Sequence, residues 1–156
     1  MEYEIKKDLY KREKYLNKIR GFYPETEIIK VLTGVRRCGK SSIMNLIAGE
    51  LIENGVKAEN ILYFNLDKKP YDTVSTTDAL DKLIADNSTT KGIKYLFIDE
   101  IQNVKGFERV INSWREEGDF SIFITGSNSY LFSGELVTKL TGRYIEFNIL
   151  PLTFDE

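Results

Sequence analysis

The chemistry-bearing residues of this chain concentrate in one stretch, Gly34-Val35-Arg36-Arg37-Cys38-Gly39-Lys40-Ser41-Ser42, whose first eight residues satisfy G-x-x-x-x-G-K-[ST]. Glycines at both ends let the backbone wrap tightly. Successive N–H groups, and the N-terminus of the helix that follows, then point at a phosphate. Lys40 adds a point charge for the β/γ-phosphates of a nucleotide, and Ser41 offers a hydroxyl to Mg²⁺. A second stretch, Lys94-Tyr95-Leu96-Phe97-Ile98-Asp99-Glu100, is an apolar run delivering two consecutive carboxylates. Behind a phosphate loop they divide the work: Asp99 holds Mg²⁺ through its water shell, and Glu100 polarises a water for in-line attack on the γ-phosphorus. Alone, an apolar run ending in Asp-Glu is commonly structural, and the reading rests on its pairing with the loop.

Two further candidates are weaker. The run Thr125-Gly126-Ser127-Asn128-Ser129 ends another apolar segment, and Ser127, or Asn128 in its place, is suited to report on the γ-phosphate; a turn capping a helix near Tyr130 is the structural alternative. Arg143, in Leu140-Thr141-Gly142-Arg143-Tyr144, would serve a neighbouring subunit's phosphate or its own site, unless it pairs at the surface with Glu146. Inside the loop, Arg36 and Arg37 are expected to meet acidic groups or a nucleotide edge, and Cys38 to be a quiet thiol.

The elements that must position these residues follow from periodicity. Five strand-like runs, Ile28 to Leu32, Ile61 to Leu66, Tyr95 to Ile98, Ser121 to Thr125 and Tyr144 to Leu150, alternate with helical stripes. One stripe carries Ile43, Leu46, Ile47 and Leu51 and stops at Asn54-Gly55. A second carries Leu80, Leu83 and Ile84 behind the capping candidate Thr77, and a third carries Phe107, Val110, Ile111 and Trp114 and stops at Gly118. Alternation of this kind predicts an α/β fold with a mostly parallel sheet and ligands at the carboxyl ends of its strands. Ahead of it, Ile5, Leu9, Leu16 and Ile19 predict an amphipathic helix from Lys6 to about Arg20, ended by Gly21 and Pro24, with its Lys and Arg residues on a solvated face.

Composition narrows the rest. At 156 residues with net charge −2, the chain suits one domain, and burial of roughly 68–70% of the unfolded surface supports a core without disulfides. The absence of histidine excludes Ser-His-Asp and Cys-His triads and His-ligated metals. No apolar run approaches the roughly 18 residues of a membrane span, and no signal-peptide pattern opens the chain, so no membrane partner and a cytoplasmic location are expected.

Taken in order, the phosphate loop, L-F-I-D-E-I-Q, I-T-G-S-N-S, L-T-G-R and L-P-L-T-F-D-E resemble the uncharacterised prokaryotic ATPases of the AAA+ superfamily, over Arg12 to Glu156. The resemblance implies a three-layer α-β-α P-loop fold with a five-stranded parallel sheet of order 5-1-4-3-2. It implies ATP and Mg²⁺ as ligands, with Lys40 and Ser41 as Walker A, Asp99 and Glu100 as Walker B, Ser127 as a sensor and Arg143 as the arginine of the GR element. Residues 1–156 would form a single ATPase core, 1–24 being a helical extension, with a C-terminal lid and output domain outside it. The implied activity is Mg²⁺-dependent ATP hydrolysis coupled to that domain or to a homo-oligomer. The alternative is a nucleotide-dependent switch with negligible hydrolysis. Nucleic acid enters only at the level of the family. A kinase lacks an arginine-rich lid here, and a GTPase lacks both the x-x-Gly after Asp99 and an N-K-x-D element.

Overall fold

The computed structural model describes residues 3–4, 12–35, 39–126, 139–140 and 142–151. Five parallel strands, β1 (Ile29–Thr33), β2 (Ile61–Asn65), β3 (Lys94–Asp99), β4 (Phe120–Gly126) and β5 (Tyr144–Asn148), form a sheet of order β2-β3-β4-β1-β5. This is the order the resemblance implies. Helices α2 (Lys40–Glu53), α3 (Thr77–Asn87) and α4 (Phe107–Glu116) connect the first four strands, and α1 (Glu13–Ile19) precedes β1.

Side-chain alternation along the central strands sorts the apolar residues into two cores. On one face Ile29, Val31, Leu96, Ile98, Ile122 and Ile124 meet Leu80 and Ile84 of α3 and Phe107, Val110 and Ile111 of α4. On the other, Leu32, Phe97 and Phe123 meet Leu16 and Ile19 of α1 and Ile43, Met44 and Ile47 of α2. Here Phe97 stacks on Phe123 with centroids 4.7 Å apart. The result is helix, sheet, helix in three layers. Because β3 is covered on both faces, its Tyr95 to Ile98 segment reads as a continuous apolar run rather than an alternating one.

The strands differ from the sequence expectation by one or two residues at their ends, and three helix boundaries differ as well. Helix α1 begins at Glu13, not Lys6: Arg12 has φ −89° and ψ 77°, outside the helical region, and its carbonyl accepts from the N–H of Tyr15 and Leu16. Ile5 and Leu9 lie outside the described residues. At the other end a 3₁₀ turn (Arg20–Phe22) runs through Gly21. The cap of α3 is Thr76 rather than Thr77, its hydroxyl accepting from Ala79 N at 3.2 Å. The basic residues around α1 also divide. Lys14 and Lys18 are exposed, but Arg12 is buried, and Arg20 reaches Glu50 of α2 at 2.7 Å, where Tyr23 also donates to that carboxylate. A solvated face does not supply these contacts. They fasten α1 to α2.

Between the layers sits Lys30 of β1, fully buried, its ammonium donating to Glu25 O at 2.5 Å and to Ser121 Oγ at 2.8 Å above the Phe123 ring. Burial pushes its pKa down to about 7.

Candidate active site

Strand register builds the site. Thr33 lies opposite Gly126, Ile98 opposite Ile124 and Asn65 opposite Asp99, so the carboxyl ends of β1, β4, β3 and β2 finish level at one edge. The phosphate loop leaves β1 at that edge and runs into α2. Gly39 has φ +99°, a left-handed backbone that glycine adopts without strain, and it turns the chain into the helix. Of the expected loop ligands, Gly34, Val35, Gly39, Lys40, Ser41 and Ser42 are described, while Arg36, Arg37 and Cys38 lie outside the described residues. Lys40 is buried and folds back over the loop, donating to Gly34 O at 2.8 Å and Val35 O at 3.1 Å.

Asp99 is the hub. Fully buried at the end of β3, it accepts hydrogen bonds from the hydroxyls of Ser41 and Thr125 and, at 3.4 Å, from Asn65 Nδ2. Burial raises its pKa, while the Ser41 and Thr125 hydroxyls pull the other way by stabilising the carboxylate. A further shell supports Ser41: Asn45 Nδ2 donates to Ser41 O at 2.9 Å and to Tyr63 OH at 3.2 Å. Tyr63 OH reaches Asp99 Oδ2 at 3.5 Å, and Tyr3 OH donates to Asn45 Oδ1.

Glu100, the next residue, faces elsewhere because its backbone is left-handed, with φ 60° and ψ 50°. Its N–H donates to Thr125 Oγ1 at 3.0 Å, and its carboxylate accepts from Gln102 Nε2 at 2.6 Å. With Gly39, Lys40, Ser41 and Ser42 it lines a cavity of about 260 Å³. That is slightly below the range of small-molecule pockets, and it suits a polyphosphate tail rather than a whole nucleotide. A larger cavity of about 510 Å³ shares Ser41 and follows the outer edge of β2.

The structure thus brings Lys40, Ser41, Asp99 and Glu100 together. Ser127 and Asn128 lie outside the described residues. Arg143 is not brought to its own site: it precedes β5 at the amino end of the sheet, where its carbonyl accepts from Ile29 N, so the length of β1, roughly 16 Å, separates it from the loop. Its guanidinium lies 3.5 Å from Glu27, not Glu146, whose carboxylate instead accepts from Thr33 Oγ1 at 3.2 Å. Sequence reasoning passed over Thr125, Asn65, Tyr63 and Gln102. A threonine closing the fourth strand was the one visible hint.

For Mg²⁺ the donor set fits. Ser41 hydroxyl and Asp99 carboxylate are hard oxygen donors already in contact, and Mg²⁺ typically takes one or two protein oxygens plus phosphates and water. Among the described residues no cluster of three acidic or cysteine side chains forms a closed metal cage, and no helix is long and apolar enough to cross a membrane.

Comparison with known proteins agrees with this geometry. The chain is 40% identical over 153 residues to an uncharacterised protein of Haemophilus influenzae, covering 97% of this chain and 38% of that relative's length. Its fold is similar to Cdc6p from Pyrobaculum aerophilum, with TM-score 0.57 and 15% identity over 92% of this chain and 47% of that one. It is also similar to AMPPCP-bound DnaA from Aquifex aeolicus, with TM-score 0.53 and 15% identity over 91% and 48%. A family model described as an AAA domain matches residues 26–156, and with the parallel sheet of order β2-β3-β4-β1-β5 and the loop at its carboxyl edge, this chain belongs to that AAA family of P-loop ATPase domains.

Proposed function

We propose that this domain binds ATP with Mg²⁺ and hydrolyses it. The observation that carries the reading is the divergence of two adjacent carboxylates. Asp99 is turned onto Ser41 and Thr125, and Glu100, one residue on, is turned into the cavity beside the phosphate loop. One carboxylate suits a cation and the other a water.

In this reading the loop N–H groups and the N-terminus of α2 hold the phosphates, and Lys40 leaves the Gly34 and Val35 carbonyls to meet them. Ser41 and Asp99 would hold Mg²⁺, which would supply positive charge to offset that of the phosphates. Glu100, fixed through its N–H by Thr125 and through its carboxylate by Gln102, orients and deprotonates the attacking water. Ser127 is assigned to sensing the γ-phosphate. Arg143, 58% exposed and remote from its own loop, acts on the site of a neighbouring copy in a homo-oligomer. Because the chain spans 38% of the Haemophilus relative's length, the output of the cycle belongs to the longer protein.

The test is calorimetric titration with ATP and GTP, with and without Mg²⁺, alongside phosphate release. The expected result is Mg²⁺-dependent ATP binding with release, loss of binding in Lys40→Ala, and retained binding with turnover reduced at least a hundredfold in Glu100→Gln. Full turnover in Glu100→Gln would remove the assigned base. Binding without release, in this chain and in the full-length protein, would mean a switch instead.

A further inference from the structure

β2 is an edge strand: β3 pairs with one side of it, and among the described residues no strand pairs with the other. Its sequence, Ile61-Leu62-Tyr63-Phe64-Asn65, holds no charge and no proline, the devices by which edge strands are ordinarily kept from pairing. The other edge strand, β5, carries Glu146 at its centre. Backbone direction settles which groups of β2 face outward. In a parallel ladder, alternate residues turn both N–H and C=O to the same neighbour. Leu66 N donates to Asp99 O at 3.1 Å, so Leu66, Phe64 and Leu62 face β3, while Ile61, Tyr63 and Asn65 face away from it. Two of the outward groups are satisfied locally, Ile61 N by Ala58 O and Asn65 O by the N–H of Lys68. Ile61 O, Tyr63 N, Tyr63 O and Asn65 N have no partner among the described residues. They form a row of acceptor, donor, acceptor, donor, which is what one strand presents to the next.

The cavity of about 510 Å³ follows this row. All five residues of β2 line it, although Ile61, Leu62 and Phe64 are at most 4% exposed, so the strand meets the cavity chiefly through its backbone. Lys68 and Lys69, just beyond the strand, line it too; both are exposed, and neither has an ion-pair partner among the described residues. One carboxylate, Glu4, also lines it, which leaves the groove with a net positive charge at the carboxyl end of the strand.

We propose that the outer edge of β2 takes an extended peptide segment of a partner protein, added to the sheet as a further strand, with acidic residues at the end beside Lys68 and Lys69. Main-chain pairing supplies affinity in this mode, and side-chain and charge contacts supply specificity. The row of free backbone groups selects a peptide over a nucleic acid, which would use the two lysines and leave the row unpaired. Five residues of strand, roughly 16 Å, set the length of the segment. A second copy of this chain suits the edge less well: antiparallel pairing of β2 on itself about Tyr63 would bring Asp67 toward Glu59, two like charges.

The probes are labelled peptides of about seven residues that alternate valine or isoleucine with threonine and end, at either terminus, in two glutamates. A matched set ending in two lysines and an oligothymidylate of about ten nucleotides are run beside them. Binding is read by fluorescence anisotropy, and the site by backbone amide hydrogen exchange of the whole chain, in wild type and in the double variant Lys68→Glu with Lys69→Glu. Acidic peptides are expected to bind and to slow exchange at Tyr63 and Asn65 at least about tenfold, leaving Leu62 and Phe64, which already face β3, unchanged. The double variant should keep its melting temperature and bind the same peptides about tenfold more weakly. No nucleotide enters the test, so the ATP reading and this one fail separately. Binding without slowing at Tyr63 and Asn65 overturns the proposal, as do equal binding by the lysine-ended peptides, wild-type affinity in the double variant, and no binding by any acidic peptide. So does capture of the oligothymidylate alone, which would make the groove a nucleic-acid site. Protection of Tyr63 and Asn65 that rises with protein concentration in the absence of peptide would put a second copy on the edge and overturn it as well.

Discussion

Replacing Thr125 by valine keeps its shape and removes its hydroxyl, and the structure says what that costs. Thr125 is fully buried. Its Oγ1 donates to Asp99 Oδ1 and accepts from Glu100 N at 3.0 Å, so one atom serves both carboxylate residues. A hydrogen bond to a charged group contributes about 1.5–3 kcal/mol, and an orphaned backbone N–H costs about 1–3 kcal/mol, towards the low end for a half-buried residue such as Glu100. The added methyl in a buried strand returns about 0.8 kcal/mol. The net loss is about 2–3 kcal/mol, or about 5–10 °C in melting temperature for a domain of this size. Turnover should fall further than stability implies, because Glu100 loses the anchor of its backbone; a displacement of about 1 Å at a reacting group costs on the order of a hundredfold. ATP affinity, set mainly by the loop, should stay within a few-fold. Urea melts, phosphate release and calorimetry on Thr125→Val and Thr125→Ser separate these effects, since serine keeps both hydrogen bonds. A Thr125→Val variant within 0.5 kcal/mol of wild type that hydrolyses ATP at the wild-type rate would refute the role given to this hydroxyl.

Lys30 gives a pH signature of known sign. Its folded pKa, about 7, lies below the unfolded value near 10.4, so between these pH values the unfolded chain binds more protons and stability rises with pH, by at most about 1.4 kcal/mol per unit. Urea melts of wild type and Lys30→Met should therefore diverge from pH 7 to 10 in favour of wild type; parallel curves would show that Lys30 keeps its ordinary pKa. Phe97→Ala removes a buried ring stacked on Phe123 at 4.7 Å and on Tyr63 at 5.7 Å, and should destabilise the fold by about 3–5 kcal/mol in the same assay. Arg143→Ala should leave ATP binding unchanged and reduce turnover only at concentrations where copies associate, read from phosphate release across a dilution series. A loss independent of concentration would contradict action on a neighbour.

Local features were legible in the sequence, and relations between distant segments were not. The loop, the five strands and the stripes of α2 and α4 follow from spacing and apolar runs, each set by a few consecutive residues. The sheet order came with the resemblance. What escaped depends on register and on packing across the sequence. Ser127 drew attention as the polar residue just beyond β4, yet the ladder that pairs Ile98 with Ile124 sets Thr125 beside Asp99, and no strand announces its register by itself. Arg12 was grouped with solvated cations because its neighbours are charged; its burial depends on Leu150, 138 residues away. Arg143 suggested Glu146 by proximity in sequence, whereas parallel pairing of β5 with β1 brings it to Glu27.

The left-handed backbone at Glu100 sets selection for robustness against selection for activity. Among the described residues it is the one non-glycine with positive φ, a conformation that costs a side-chain-bearing residue about 1–2 kcal/mol. Glycine would relieve that strain and discard the carboxylate. A library of variants ranked only by heat resistance would therefore favour Glu100→Gly and drift towards proteins that endure and no longer turn over. Evolving a hardier form of this domain requires a screen that scores product as well as survival.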